Sequence, residues 1–527
     1  MAGPVPHYVT IAGGQLRFFR IGEGPVLLAL ADPLLAAGIL ASRLSLLCPR
    51  HRILVVELPG IGGSSEIDPG SVPEMAGKIA EALDGLTAPV SVLLGFQLSC
   101  PVAAALAPLL PGEPQLLLAG LDALEGWRSA GIATPDLAPR QDGTHLQALW
   151  SFIRDRHLLV PGDPGQPASQ GEPLPGDHDL SETFNAAAVR PDRFYRLWEN
   201  CVRVTEDPLP PGTRQLALLG ELASIPAEPE SSRPDAALPP TAARPDRAIW
   251  HRYVETPRGR FHLRCAGEDG TPLLVIPTGG GSSAQFAPVI AGLAQGRKVF
   301  AIDYPGNGLS FKPAWPVTIE SLAADVLCLL DTMELERVDV WGSHTGALVA
   351  LELAVTAPER VGRMVMEGPV FISPDFQADL LANYFPPIRP DRWGLHIPQI
   401  WNWRRDLFMY WPWYRVDRAA TRQLGVPDAW ELHKYAIGIL ESGETYDGAY
   451  RSAFAYNTRA RMPILDRPTL VCAGPNDMLK DGLAEAGKLG RRECVTVTET
   501  PTTVWWPDPE PGAARETLEL YDRFLRG

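Results

Sequence analysis

The chain has 527 residues, 45% of them hydrophobic and 21% charged, with a net charge of −15. That composition buries a full core and suits two to four domains at ~100–200 residues each; the dispersed negative charge argues against nucleic acid or an anionic membrane surface as a partner. No apolar run approaches the ~18 residues of a membrane span, MAGPVPHYVT lacks a basic-then-apolar leader, and the seven cysteines form no CxxC pair, so a cytoplasmic protein with reduced, buried thiols, no metal and no organic cofactor is expected.

In chain order, the first half alternates short apolar runs with helical patterns. PVLLALAD (25–32), VVELPGIGGSS (55–65), VSVLLGFQLSC (90–100) and LALLGEL (216–222) read as strands entering turns. A cap-like insertion is expected at about 124–212, with an exposed loop at 161–178. Residues 225–247 are rich in proline and polar residues and read as a linker. The second half starts with the hairpin HRYVET/GRFHLRC. The strand PLLVIP, the helix SAQFAPVIAGLAQ, the strand KVFAIDY and the helix TIESLAADVLCLLDTM, with Thr318 as N-cap, follow. VDVWG, TGALVALELAVTA and VGRMVME then read as strand, helix and strand. After an insertion at 373–462 come PTLVCAG, LKDGLAEAGKLG, CVTVTE and ARETLELYDRFLR as strand, helix, strand and helix. This alternation implies a mostly parallel sheet with helices on both faces.

The halves repeat one another. LPGIGGSS and YPGNGLS align with Pro59 and Pro305 246 positions apart, and the flanking strands recur at nearly the same offset. A period this long means tandem domains: 1–224, a linker at 225–247, and 248–527. The first copy stops before a last helix, strand and helix. Its sheet then ends at an edge that needs cover from the second domain or from another subunit, so a homodimer through the N-terminal domain is one expectation.

Three motifs of the second half carry a resemblance: Thr278-Gly-Gly-Gly281 after a strand, Asp303-Tyr-Pro-Gly-Asn-Gly-Leu-Ser310, and Gly342-Ser-His-Thr-Gly346 between strand and helix. Together and in this order they resemble the α/β-hydrolase fold superfamily, so two tandem domains of that fold are expected. In that family a Gly-x-Ser-x-Gly elbow presents the nucleophile on a tight strand-to-helix turn. Here the nucleophile position holds His344, with Ser343 before it. The resemblance implies Asp477 as the acid and Glu367 as a second candidate. It implies an oxyanion hole from the backbone of Gly280 and Thr345. It also implies a histidine after the last strand, where the chain reads Glu499-Thr-Pro-Thr-Thr-Val-Trp-Trp506. None of the ten histidines lies beyond His433, so an ordinary Ser-His-Asp triad cannot be assembled in the family's chain order.

The first copy departs further. Gln97 takes the elbow position, Asp32-Pro33 replaces the glycine loop, and Ala223 falls where the acid belongs. This copy is expected to be degenerate. In the second copy His344 can act as a general base oriented by Asp477 or Glu367. It can instead be a covalent nucleophile, or a neighbour of a Ser343 or Thr345 nucleophile. The expected function is hydrolysis of an apolar or aromatic carbonyl-containing small molecule, or lyase-type proton abstraction from one. The alternative is a non-catalytic pseudo-hydrolase that binds a ligand or assembles a complex.

The second insertion is rich in aromatics, with Trp393, Trp401, Trp403, Trp411, Trp413 and Trp430 between 393 and 430. Trp401, Trp403, Trp411, Trp413, His433 and Tyr435 are candidates to line a substrate pocket, and a helical cap also needs such residues for its own core. Arg404 and Arg405 can meet a carboxylate or carbonyl.

Overall fold

A computed structural model describes residues 3–158, 174–204, 209–225 and 248–527. The loop expected at 161–178 and the linker at 225–247 lie outside these residues, save 174–178 and Ile225. The chain forms two compact units. The first holds Met1–Arg140, Thr144–Arg247 and Pro390–Leu395; the second holds Gln141–Gly143, Ala248–Arg389 and His396–Gly527.

The first unit contains β1 (Val5–Ile11), β2 (Gly14–Ile21), β3 (Val26–Leu30), β4 (Arg52–Val56), β5 (Val90–Phe96), β6 (Gln115–Ala119) and β7 (Arg214–Leu216), in the spatial order β1-β2-β4-β3-β5-β6-β7. β1 and β2 form an antiparallel hairpin, and β3 to β7 pair in parallel. Helices form where the sequence signals them. The helix Val72–Leu83 starts at a capping box in which Glu74 N–H donates to Ser71 Oγ (3.4 Å) and Ser71 N–H to Glu74 Oε2 (2.6 Å). Among the described residues, four helices lie between β6 and β7 in the insertion: Leu121–Ser129, Thr144–Leu158, Asp177–Ala188 and Pro191–Arg203.

The second unit contains β8 (Trp250–Thr256), β9 (Gly259–Ala266), β10 (Thr271–Ile276), β11 (Arg297–Ile302), β12 (Val338–Ser343), β13 (Val361–Glu367), β14 (Thr469–Ala473) and β15 (Val495–Glu499), in the order β15-β14-β13-β12-β10-β11-β9-β8. β12 is buried at every residue, as a strand covered on both faces must be. Thr318 caps the helix Ile319–Thr332, accepting from Ser321 N–H at 3.1 Å. The helix expected from SAQFAPVIAGLAQ is shorter: a 3₁₀ turn, Ser283–Phe286, precedes an α-helix limited to Ala287–Gly292. Pro288 in its first turn suits a helix start and not an interior. The cap contributes the helices Pro374–Asn383, His396–Met409, Ala429–Ser442, Gly448–Ala455 and Thr458–Arg461.

β10 lies between β11 and β12, so the chain leaves it on one side and returns on the other. Such a switch point opens a crevice at the carboxyl ends of the strands. No described helix is long and apolar enough to cross a membrane. Cys48, Cys100, Cys201, Cys265 and Cys472 are buried thiols, whereas Cys328 and Cys494 are half-buried, so the expectation of buried cysteines holds for five of the seven.

Candidate active site

The glycine-rich motif after β11 forms a buried ionic cluster beneath the crevice. Asp303 Oδ2 meets His262 Nδ1 at 2.7 Å, and Asp303 Oδ1 accepts from the Ser283 N–H (2.7 Å) and hydroxyl (2.6 Å). Burial opposes the charge on Asp303, but the charges of His262 and Arg264 win and hold its carboxyl far below the usual range. The motif therefore braces the loop after β11. In the first unit Arg17 and Glu57 form the corresponding pair, at 2.8 and 2.6 Å.

β12 ends in the elbow. Gly342 is in register with Ile276 of β10 and Met366 of β13, so the next residues emerge at the centre of the crevice. His344 sits at φ 49°, ψ −106°, before the helix Thr345–Thr356. A non-glycine residue there stores about 1–3 kcal/mol of backbone strain, and such strain clusters at functional positions. Gly346 is required by close approach: a Cβ there would lie 2.0 Å from the Ile276 carbonyl oxygen.

The imidazole finds its acid. His344 Nε2 lies 2.9 Å from Asp477 Oδ2, and both residues are buried. Asp477 follows β14, and its Oδ1 accepts from the Leu479 N–H at 2.8 Å. Burial pulls the His344 pKa down, but the charge and hydrogen bond of Asp477, helped by Glu367, carry it above its ordinary value. Burial likewise opposes the Asp477 charge, and His344, the Leu479 N–H and Arg422 together push its pKa below the usual value. The pair therefore favours imidazolium and carboxylate. With Nε2 bound to Asp477, Nδ1 is the nitrogen left to exchange a proton with a substrate.

Glu367, at the end of β13, does not reach the imidazole with its carboxyl. Its backbone carbonyl accepts the His344 N–H (2.8 Å), while its side chain accepts from Trp505 Nε1 (2.5 Å) and the Tyr521 hydroxyl (2.6 Å). Ser343 points into the interior, fully buried, its Oγ without a hydrogen-bond partner. Thr345 Oγ1 is likewise buried and unpartnered. The Thr345 N–H is the first of its helix and has no acceptor within it. Gly280 has φ 77° on the loop after β10.

A cavity of about 50 Å³ adjoins His344, walled by Thr278, Gly279, Arg404, Arg422 and Tyr450 among others. A wider cleft of about 360 Å³ shares Phe408 and Trp506 with it. Those two rings meet edge to face at 5.5 Å. Of the expected lining residues, Tyr435 is in the inner cavity. Trp401 and Trp403 are buried in the cap, Trp403 against Tyr446 at 5.1 Å. Trp411 packs on Tyr384, Trp413 Nε1 donates to the Tyr384 carbonyl, and His433 stacks on Trp430. Trp401 Nε1 donates to the Gln141 carbonyl (3.0 Å), the other four serve the cap's own packing, and none of the five lines the cavity.

The sequence offered Arg404 and Arg405 together. Arg404 lines the cavity, buried, with its Nε unpartnered and with no carboxylate of the described residues against it. Its guanidinium lies 5.1 Å from the Tyr435 ring centroid. Arg405 faces Asp406 instead, at 3.7 Å. Arg422, Tyr450 and Trp505 escaped sequence reasoning. Arg422 lies on an irregular segment and reaches in over Trp506, 4.7 Å from its ring centroid. Trp505 stands on the segment after β15, and the one available signal was its place where a histidine was missing.

Comparison with known proteins bears on the fold. A family model described as alpha/beta hydrolase fold matches residues 271–396. The chain is 25% identical over 210 residues to a putative carbamate hydrolase, RutD, of Azorhizobium caulinodans, covering 40% of this chain and 75% of the relative. It is 31% identical over 154 residues to a 2-hydroxy-6-oxo-2,4-heptadienoate hydrolase of Pseudomonas putida, covering 28% of this chain and about half (52%) of that relative. Among solved structures, the enol-lactonase of Burkholderia xenovorans LB400 aligns at a TM-score of 0.41 and 19% identity over 52% of this chain and 100% of its own. With a family model of the alpha/beta hydrolase fold over 271–396, relatives that are hydrolases, and a second sheet that repeats the strand order of the first with one strand more, the chain has the α/β-hydrolase fold, and its two sheets are consistent with tandem domains.

Proposed function

We propose that the C-terminal domain is a hydrolase in which His344 is the general base, oriented by Asp477, acting on a small carbonyl compound that carries a negative charge. The 2.9 Å contact between His344 Nε2 and Asp477 Oδ2 carries this reading. Nδ1 takes a proton from water as the water oxygen bonds to the substrate carbonyl carbon. The N–H groups of Thr345 and Gly280, placed as oxyanion donors by the fold's pattern, receive the developing charge. The intermediate then collapses, the bond to the leaving group breaks, and Nδ1–H returns the proton to that group.

Ser343 is not the nucleophile in this reading, because its hydroxyl is sealed in the interior. The substrate's charge follows from Arg404, a buried cation with no carboxylate of the described residues to match it. A buried charge needs a partner, and a substrate carboxylate supplies one. The inner cavity, at about 50 Å³, takes the reacting carbonyl, and the outer cleft of about 360 Å³ takes the remainder. The names of the relatives, a carbamate hydrolase and a dienoate hydrolase, fit this class of chemistry.

The N-terminal domain is catalytically inert in this reading. The test is hydrolysis of p-nitrophenyl esters bearing a terminal carboxylate. Activity is expected to survive Ser343→Ala and to fall about 10²–10⁴-fold in His344→Ala. Undiminished hydrolysis by a folded His344→Ala protein overturns the proposal and favours the reading as a binding protein.

A further inference from the structure

We propose that Trp505 is a positioning residue for His344, held in place by Glu367 and Tyr521; this rests on His344 being the base. Trp505 occupies the segment after the last strand, where the fold's pattern puts a histidine. Its ring meets the His344 ring edge to face, with centroids 5.6 Å apart and planes at 81°. On another side of the imidazole stands the Gly368 backbone, where a Cβ would lie 2.3 Å from His344 Cδ2. The bond to Asp477 fixes one atom of the imidazole. Trp505 and Gly368 fix its plane, and with it the direction of Nδ1.

Trp505 is itself held at several points. Its Nε1 donates to Glu367 Oε2 (2.5 Å), its carbonyl accepts from the Tyr435 hydroxyl (2.8 Å), and its ring packs on Phe286 at 4.9 Å. Tyr521 donates to the other Glu367 oxygen at 2.6 Å. Glu367 thus touches His344 through its backbone and Trp505 through its side chain. A carboxyl group with no exposure is costly to bury where an apolar side chain would pack. Among the described residues its side-chain partners are two neutral donors, one of them the ring against the imidazole. Orienting that ring explains why the carboxyl is there. The other charged or titratable groups around the imidazole are Asp477, Arg404, Arg422, Tyr435 and Tyr450.

The test compares Trp505→Phe, Glu367→Leu and Glu367→Gln by steady-state kinetics on the same esters, with thermal melts to establish folding. Trp505→Phe keeps a ring and loses the Nε1 bond; kcat is expected to fall about 10-fold or more with KM little changed, since small misplacements near the chemistry cost up to about 10²-fold. Glu367→Leu should do the same. Glu367→Gln keeps an acceptor for Nε1 and should recover kcat to within about threefold of wild type, which a merely space-filling role does not require. The His344 ring ¹⁵N signals should broaden or split in Trp505→Phe and Glu367→Leu, a readout independent of turnover. Unchanged kcat and unchanged ring signals in Trp505→Phe overturn the proposal, as does equal damage in Glu367→Gln and Glu367→Leu if Trp505→Phe does not fold. If His344→Ala stays active, the base reading fails, and the ring signals still decide whether Trp505 orders the imidazole.

Discussion

At Gln97 and at His344 the chain makes the same turn, with φ 46° and 49°. Behind each turn a glycine in the left-handed region, Gly120 or Gly368, donates its N–H to the next strand: to Leu216 at 3.0 Å and to Cys472 at 2.8 Å. The backbone of the site is thus alike in both domains, while the side chains differ. In the N-terminal domain the N–H after the elbow residue, that of Leu98, donates to Asp32 Oδ2 at 2.9 Å, and Leu34 N–H donates to Oδ1 at 2.6 Å. An acidic side chain of the chain itself fills the place where an oxyanion would be received. In the C-terminal domain the loop is Thr278-Gly-Gly-Gly281, and the Thr345 N–H meets no such carboxylate among the described residues. Packing against the sheet preserves the strained turn whether or not chemistry uses it. The elbow marks the fold, and its occupants decide the function.

His344→Gln makes the C-terminal elbow resemble the N-terminal one and carries the largest expected effect. Loss of the base should lower kcat by about 10²–10⁴-fold on a folded protein, measured on carboxylate-bearing esters. A change at Asp32 probes the other domain. Burial pushes the Asp32 pKa from 3.8 to about 7, outweighing its two backbone hydrogen bonds. Because the folded-state pKa lies above the unfolded one, this contribution to stability is full below pH 3.8 and is lost as pH rises to about 7. The loss approaches about 4 kcal/mol at about 1.36 kcal/mol per unit. Asp32→Asn should remove that slope, seen as denaturant midpoints that converge with wild type at low pH and exceed it at pH 8.

Much of this was legible in sequence because the determinants are local. The strand VGRMVME is β13 to the residue, and Thr318 caps its helix, since apolar runs and capping hydroxyls act over a few positions. His344 and Asp477, 133 positions apart, are legible because the resemblance to the α/β-hydrolase fold puts a nucleophile position and an acid at the ends of the two strands that precede them. The cap resisted. Its tryptophans carried both readings, pocket and core, because indole serves both uses and only three-dimensional packing tells them apart. Arg422 and Tyr450 give no local signal, and Glu367, the alternative to Asp477 as partner of His344, turns its carboxyl to Trp505.

Arg404→Met removes the cation but keeps an apolar stem in the cavity. For esters carrying a carboxylate, KM should rise about 10–100-fold, as the loss of one charged hydrogen bond at about 1.5–3 kcal/mol requires. For neutral esters of the same size it should change little. Equal effects on both would remove the charge from the proposed substrate class and leave the base untouched.

The smallest effect is a shift along the pH axis, and its sign is fixed by the order of causes. A general base must be neutral, so kcat/KM should rise with pH through the His344 pKa, which lies above 6.5. The Asp477 charge opposes a larger burial contribution that acts downward. Asp477→Asn removes the opposition, so the acid limb should move below 6.5, while kcat on the plateau falls because the imidazolium loses its counter-charge. The stability of the pair runs the other way. The raised His344 pKa contributes fully below 6.5 and is lost as pH rises through the folded value; the depressed Asp477 pKa contributes above 3.8 and is lost as pH falls through its folded value. The ion pair therefore stabilises the domain most between those two values, where the base is protonated and idle. A wild-type enzyme whose acid limb lies below 6.5, or an Asp477→Asn variant whose limb stays in place, would mean that the Asp477 charge does not set the basicity of His344. The N-terminal elbow, with glutamine in this position, has no titration of its own to contribute to that limb.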